Sequence, residues 1–231
     1  MTAKGVLFDF SGTLLRVEPA LRWLRAALEE AGIGMPPEES EELAQRLETA
    51  GALPGGHAPR SVPEALRAVC DERDLSAQQH RTAYTGLARQ VPLPHPGLYD
   101  ALYERHMRPE AWQPYPDTAE VLSTLREREV PVAVVSNIGW DLRPVFREHG
   151  LAPYVRDYVL SYEHGVRKPD PRIFHAGCTA LGLAPEDVLM VGDDEQADAG
   201  AAGIGCAVHL VRHLPAGARP DGLLPVLTLA G

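Results

Sequence analysis

Residues 5–14 read Gly-Val-Leu-Phe-Asp-Phe-Ser-Gly-Thr-Leu, and this stretch decides the fold. Residues 5–8 have the composition of a buried strand, which stops abruptly at Asp9 where a polar loop begins. Three later runs have the same apolar character, at residues 130–135, 187–191 and 206–211. Near-continuous apolar strands are typical of a parallel sheet that is covered on both faces. The sequence therefore predicts buried parallel strands that lead directly into polar loops.

Helix-like segments separate these strands. They cover residues 117–129, with Asp117 as a candidate N-cap, residues 140–149, closed by Gly150, and residues 171–181, closed by Gly182. Alternation of strand and helix predicts an α/β fold, a Rossmann-like parallel sheet with helices on both faces.

The stretch from residue 16 to residue 110 breaks this alternation. It has no comparable β-branched run, and apolar residues recur at helical spacing in four or five places, separated by Pro- and Gly-rich breaks. We therefore expect an all-helical cap domain at residues 16–110, inserted into a core formed by residues 1–15 and 111–231.

Composition narrows the possible partners. The chain has 231 residues, and 22 Lys and Arg against 32 Asp and Glu give a formal net charge of −10. This charge repels phosphate backbones and anionic lipids, so nucleic acid and membranes are not expected partners. Three cysteines without metal-ligand spacing and an N-terminus without a signal-like apolar run predict a cytoplasmic protein. The sequence predicts no oligomeric state.

Polar side chains follow three of the predicted strands. Ligands of an open parallel sheet bind at the carboxyl ends of its strands, so these side chains should meet across one crevice. Several carboxylates cannot stay ionised together without positive partners. Lys168 supplies one positive charge, and a hard cation with oxygen ligands, most plausibly Mg²⁺, would supply the rest. The residues at this edge are Asp9, Thr13, Ser136, Asn137, Asp193, Asp194 and Asp198. Each of these residues alone could be an ordinary turn or helix-capping residue, so the prediction depends on the whole set.

The set resembles the motifs of the haloacid dehalogenase-like hydrolase superfamily, whose members are chiefly phosphatases with an aspartate nucleophile. Residues 9–14 resemble the first motif, Asp-x-Asp-x-Thr, and Ser136 resembles the Ser or Thr of the second. Lys168 with Pro169 resembles the third motif, and residues 192–194 with Asp198 resemble the acidic fourth. The resemblance covers the whole chain, because the helical segment lies where that family carries its C1-type cap.

The resemblance implies a role for each of these residues. Asp9 would be the nucleophile and form an aspartyl-phosphate. Mg²⁺ would be held by Asp9, the Ser11 carbonyl and Asp193, and the substrate would be a small phosphorylated metabolite. Asp198 would hold Lys168 or a metal-bound water, and whether Asp194 touches the metal stays open. The phosphate would be bound by Ser11, Gly12, Thr13, Ser136, Asn137 and Lys168.

Ser11 departs from the family pattern. Most family phosphatases have a second Asp at this position, which acts as general acid and base and contributes roughly 10²–10⁴-fold to the rate. A serine hydroxyl ionises too weakly to replace it. With Ser11 at this position, three functions are possible: a phosphatase restricted to good leaving groups, a metal-independent 2-haloacid dehalogenase, or a catalytically weak homologue that binds metal and phosphate.

The residues of the predicted cap bear on two questions: whether the chain belongs to a related subclass, and which side chain could replace the missing acid. Phosphonoacetaldehyde hydrolases also lack the second Asp but use a cap lysine, and the only lysines here are Lys4 and Lys168. That subclass is therefore excluded. Candidates for a replacement acid from the cap, by residue type alone, are His57, His95, Glu104 and His106.

Overall fold

The computed structural model describes residues 2–231. Its strands are, in chain order, β1 (Gly5–Phe8), β2 (Leu15–Val17), β3 (Trp112–Pro114), β4 (Val132–Ser136), β5 (Asp157–Leu160), β6 (Val188–Gly192) and β7 (Ala207–Leu210).

The α-helices follow the same numbering. They are α1 (Ala20–Glu30), α2 (Pro37–Thr49), α3 (Arg67–Asp71), α4 (Ala77–Ala88), α5 (Leu98–His106), α6 (Thr118–Glu127), α7 (Arg143–Glu148), α8 (Ser161–His164), α9 (Pro171–Leu181) and α10 (Val226–Leu229). Short 3₁₀ turns lie between them, including Arg73–Leu75 and Asp198–Ile204.

Five strands form one parallel sheet in the order β5-β4-β1-β6-β7. β1 is the central strand, and it pairs with β4 on one side and β6 on the other. The residues that end or follow these three strands therefore lie side by side at one sheet edge. This topology is the reason that Asp9, Ser136 and Asp193 come together.

Helices cover both faces of the sheet. Side chains alternate along β1, so that Phe8 packs in the cluster that includes Leu125 and Phe146, whereas Leu7 faces the opposite cluster, which includes Phe174. Both clusters are formed by buried apolar residues, and their burial is the main favourable contribution to folding. The predicted α/β class with a Rossmann-like sheet is confirmed.

Some predicted elements differ from the observed ones. β5 has no counterpart in the prediction, because its first residues, Asp157 and Tyr158, are exposed or half-buried and lack an apolar signature. The helix predicted at 140–149 begins only at Arg143. Asp117 precedes α6 but makes no capping bond, since its Oδ2 accepts a hydrogen bond from the Leu223 amide at 2.5 Å.

The segment between β2 and β3 is helical and contains α1 to α5. β2 and β3 pair in antiparallel fashion at its two ends. Near this pair, buried Glu18 receives hydrogen bonds from Arg105 Nε at 2.7 Å and Nη2 at 2.9 Å. The ion pair links the entry of the helical segment to its last helix.

None of the helices in residues 2–231 combines the length and the apolar character needed to cross a membrane.

Candidate active site

A cavity of about 540 Å³ opens above the carboxyl ends of β1, β4 and β6. The sheet contributes Asp9, Ser136 and Asp193 to its wall, and the loop before α9 contributes Lys168. The helical segment contributes the opposite wall, which comprises residues 51 and 53–59 together with Arg73, Asp74, His80, Tyr84 and Leu87. This volume is in the range of small-molecule sites.

Lys168 is the centre of the buried charge network. Its ammonium group lies 2.7 Å from Asp9 Oδ1 and 2.6 Å from Asp198 Oδ1. All three residues are at most 6% exposed. The structure therefore brings together the three charged residues that the motifs assign to one site.

Burial and charge shift the pKa values of this network in opposite directions. Burial raises the pKa of Asp9 well above its usual range, and the neighbouring carboxylates Asp198 and Asp193 raise it further, while Lys168 opposes the shift. For Lys168, burial lowers the pKa, but Asp198 and Asp9 raise it by more, so the net shift is upward. The cluster thus keeps its ammonium group protonated, and Asp9 lacks enough positive charge nearby to ionise as easily as an exposed carboxyl group.

Asp198 is fixed by both of its oxygens. Oδ1 accepts from Lys168, and Oδ2 accepts from the backbone amides of Asp193 and Asp194, each at 3.0 Å. Gly192 makes room for this side chain, since a Cβ there would lie 2.5 Å from the Asp198 Cβ and closer still to its carboxylate. A glycine is therefore required at the end of β6.

Asp193 is held from two sides. Thr13 donates its hydroxyl to Asp193 Oδ1 at 3.3 Å, and His213 Nδ1 contacts Oδ2. Gly12 has a φ of +89°, and a Cβ there would lie 2.8 Å from Asp193 Cγ. Both the backbone conformation and the close approach explain this glycine.

The donor set fits a hard divalent cation. Oxygen atoms of Asp9, Asp193 and Asp198 lie within 4.8 Å of one another. Asp198 is committed to Lys168 and to two backbone amides, whereas Asp9 and Asp193 line the cavity with carboxylates that accept fewer hydrogen bonds. Within residues 2–231, the Ser11 carbonyl accepts no hydrogen bond from any other residue. Two carboxylates and one carbonyl form an oxygen site of the kind that Mg²⁺ binds.

The other residues predicted for the site lie at its wall or behind it. Ser136 is the last residue of β4 and lines the cavity. Asn137 uses its side-chain amide on the backbone of Lys168: Nδ2 donates to the carbonyl at 3.0 Å, and Oδ1 accepts from the amide at 2.7 Å. Asp194 lines the cavity, but its Oδ1 accepts from two amides of the following turn, those of Gln196 and Ala197.

Two residues near the C-terminus contribute contacts that the sequence did not indicate. Arg219 donates from Nη1 to the Gly12 carbonyl at 2.7 Å and from Nη2 to the Thr13 carbonyl. Its guanidinium carbon lies 3.3 Å from the centroid of the Tyr115 ring. His213, described above, reaches Asp193 from the same C-terminal region. Neither belongs to a periodic or spaced motif, so only tertiary structure reveals them.

Ser11 meets the helical segment directly. Gly55, with a φ of +75°, approaches so closely that a Cβ on it would lie 2.8 Å from Ser11 Oγ and 2.9 Å from Trp112 Cη2. The loop at residues 53–59 therefore packs directly against Ser11.

Of the four cap side chains suggested as a replacement acid, only His57 lines the cavity. The His57 side chain is 68% exposed, and its Nδ1 lies 2.9 Å from Glu48 Oε1. Glu104 forms an ion pair with Arg81, and His95 is an exposed loop residue whose Nδ1 accepts from the Gly97 amide. His106 is fully buried against Trp140, and burial lowers its pKa to about 3.

The family model for haloacid dehalogenase-like hydrolases matches residues 3–203. The chain is 30% identical over 195 residues to a glyceraldehyde 3-phosphate phosphatase of Methanopyrus kandleri, a match that covers 82% of this chain and 75% of that protein. It is 39% identical over 85 residues to a phosphoserine phosphatase of Thermus thermophilus, which covers 36% of this chain and only 34% of that protein.

Among solved structures, the L-2-haloacid dehalogenase of Xanthobacter autotrophicus superposes with a TM-score of 0.62 at 22% identity. That superposition covers 99% of this chain and 85% of the dehalogenase. It shows a shared fold. The chain belongs to the haloacid dehalogenase-like hydrolase family and is a hydrolase.

Proposed function

We propose that this protein is a Mg²⁺-dependent phosphatase that hydrolyses a small phosphorylated metabolite through an aspartyl-phosphate on Asp9. The observation that carries the proposal is the convergence of Asp9, Lys168 and Asp193 in one cavity at the sheet edge. Relatives named as phosphatases support the same reaction class. The proposal includes a division of the chain into a core, residues 1–15 and 111–231, and a cap, residues 16–110.

Mg²⁺ would be held by Asp9, Asp193 and the Ser11 carbonyl. When bound, a divalent cation neutralises the repulsion between the carboxylates and an incoming phosphate and orients the phosphoryl group. Three carboxyl groups lie close together beside a single ammonium group, and this supports the assignment, because ionised carboxylates without a positive partner are costly to bury.

The protein's own residues would carry the displacement as follows. The Asp9 carboxylate attacks phosphorus in line and splits one hydrolysis into two easier steps. Lys168, 2.7 Å from Asp9, orients the carboxylate and attracts a phosphoryl oxygen. Ser136 and the backbone amides of Ser11 and Thr13 would bind the remaining equatorial oxygens. The Gly12 amide, also expected in this role, is not available, because it donates to the Leu15 carbonyl at 2.7 Å.

Two residues would position Lys168 without contacting the substrate. Asn137 holds its backbone at both the amide and the carbonyl, and Asp198 holds its ammonium group. Asp198 also binds the amides of Asp193 and Asp194, so one carboxylate sets the relative position of the ammonium group and the metal ligand.

The test is phosphate release from p-nitrophenyl phosphate and acetyl phosphate, measured with Mg²⁺ and with EDTA. We compare the wild type with Asp9→Asn and with Asp221→Asn, an exposed matched control. Release that requires Mg²⁺, is lost in Asp9→Asn and persists in Asp221→Asn is the expected result. Release that survives both EDTA and Asp9→Asn contradicts the proposal.

The same experiment separates the two alternatives. Without phosphate release, halide release from 2-haloacids that depends on Asp9 would identify a dehalogenase. Mg²⁺ binding without either reaction would identify a binding homologue.

A further inference from the structure

The proposed reaction needs a proton donor for the leaving oxygen, and Ser11 cannot provide one. The donor has to reach the cavity, and the cap forms the wall opposite Asp9. Within residues 2–231, the titratable cap side chains that line the cavity are His57, Arg73, Asp74, His80 and Tyr84. Asp74 is the one carboxyl group in that set.

The other four side chains are poor proton donors at neutral pH. Burial lowers the pKa of His80 well below its usual value, so its imidazole is neutral, and Nδ1 is paired with the Tyr103 hydroxyl at 2.9 Å. Burial raises the pKa of Tyr84 to about 12. Arg73 stays protonated, and His57 is exposed at the rim and paired with Glu48.

The backbone of Asp74 is anchored to the core beside the proposed phosphate site. Asp74 belongs to the short turn Arg73–Leu75, and its carbonyl accepts from the Ser161 hydroxyl at 2.5 Å. The same hydroxyl accepts a hydrogen bond at 2.8 Å from the amide of Ile138, which lies two residues after Ser136. The cap turn is therefore fixed against the loop that follows β4.

The carboxyl group of Asp74 is buried but not engaged. The residue is 6% exposed, and in residues 2–231 its backbone carbonyl accepts a hydrogen bond whereas its side-chain oxygens accept none. The nearest cation is Arg73, whose Nε lies 3.7 Å from Oδ2. An unengaged carboxyl group that lines a cavity is free to bond to a ligand there.

The surroundings favour the protonated form. Burial raises the pKa of Asp74, while Arg73, Arg167 and Lys168 lower it by less. A carboxyl group with a raised pKa is suited to act as an acid near neutral pH.

We propose that Asp74 is the general acid and base of this enzyme, in place of the second Asp that Ser11 replaces. The inference rests on the proposed phosphatase function. As Asp9 forms its bond to phosphorus and the ester P–O bond breaks, the Asp74 carboxylic acid gives its proton to the leaving oxygen and an alcohol departs. The Asp74 carboxylate then takes a proton from water while the hydroxide oxygen attacks phosphorus. Inorganic phosphate leaves, Asp9 returns as a carboxylate, and Asp74 is protonated again.

The leaving group distinguishes this role from a structural one. p-Nitrophenolate departs without help, whereas an alkoxide needs a proton. In Asp74→Asn we expect kcat/KM for glycerol 3-phosphate to fall by about 10²–10⁴-fold. For p-nitrophenyl phosphate we expect a much smaller fall. Asp71→Asn, an exposed carboxyl three residues earlier, is the matched control and should leave both rates unchanged.

Three outcomes would overturn the inference: equal losses on both substrates, no loss on either, or a wild type that hydrolyses the aryl but not the alkyl ester. Should Asp74→Asn fail to fold, the wild type decides alone. A steep dependence of kcat/KM on leaving-group pKa, across substituted phenyl phosphates and glycerol 3-phosphate, would mean that no acid assists departure. Loss of the proposed function itself would show differently, as aryl phosphate release that does not depend on Asp9.

Discussion

Substitution of Gly192 by Ala tests whether the glycine at the end of β6 sets the position of the Asp198 carboxylate. The added Cβ would lie 2.5 Å from the Asp198 Cβ, and closer to its carboxylate, where ordinary contacts between such atoms are about 3.5 Å. Asp198 would therefore have to move by roughly 1 Å. Its bonds of 2.6 Å to Lys168 and 3.0 Å to two backbone amides cannot all survive such a shift.

The magnitude follows from these bonds. A hydrogen bond to a charged group contributes about 1.5–3 kcal/mol. Loss of one or two of the three bonds predicts that the free energy of unfolding falls by about 2–5 kcal/mol. Lys168 would lose its fixed position, and misplacement by about 1 Å can lower the rate by about 10²-fold.

The assay is urea unfolding followed by tryptophan fluorescence, together with kcat for p-nitrophenyl phosphate hydrolysis. Gly203→Ala is the matched control, because Gly203 is exposed and a Cβ there would meet no atom within 4 Å. We expect Gly203→Ala to behave like the wild type. A Gly192→Ala variant with wild-type stability and kcat would refute the claim that the position of Asp198 is set by the glycine.

Two further substitutions test other contacts. In the Asp74→Asn variant, the further change Ser11→Asp places a carboxyl group next to Asp9, so we expect it to restore part of the lost kcat for alkyl phosphates and to change kcat for p-nitrophenyl phosphate little, while KM rises because the larger side chain displaces the loop at Gly55; alkyl phosphate rates that stay at the level of Asp74→Asn would count against the role assigned to this position. Arg105→Leu leaves the Glu18 carboxylate buried without its main partner, so we expect the free energy of unfolding to fall by about 3 kcal/mol. This value is at the low end of the usual range because Arg22 Nε lies 3.3 Å from the same carboxylate. Urea unfolding measures this loss, and the double variant Glu18→Met/Arg105→Leu should recover most of it.

The sheet edge could be predicted from the sequence because it follows from local patterns. Each apolar run that ends in a polar residue marks a strand end, and parallel pairing carries Asp9, Ser136 and Asp193 to the same edge without any long-range information. Asp198 follows from its place in the turn after β6, and Lys168 follows from charge balance. The α/β class and the family are confirmed, whereas the roles of the individual site residues stay predictions.

The cavity wall opposite the sheet could not be predicted in the same way. Asp74 lies in a half-exposed turn with no periodicity, and its burial depends on docking of that turn against Ser161. Arg219 reaches the Gly12 carbonyl from 207 residues away in sequence, and His213 reaches Asp193 from 20 residues away, and no spacing rule connects either pair. Residue type alone suggested His57, His95, Glu104 and His106, three of which do not line the cavity.

Ser11 and the loop at Gly55 depend on each other geometrically. Gly55 can approach Ser11 because both residues are small, and a carboxylate at either position would hold the loop away from the nucleophile. This close approach removes the space for an acid next to Asp9, so the acid has to come from another wall of the cavity. Asp74, anchored to the core through Ser161, satisfies that requirement without reopening the loop.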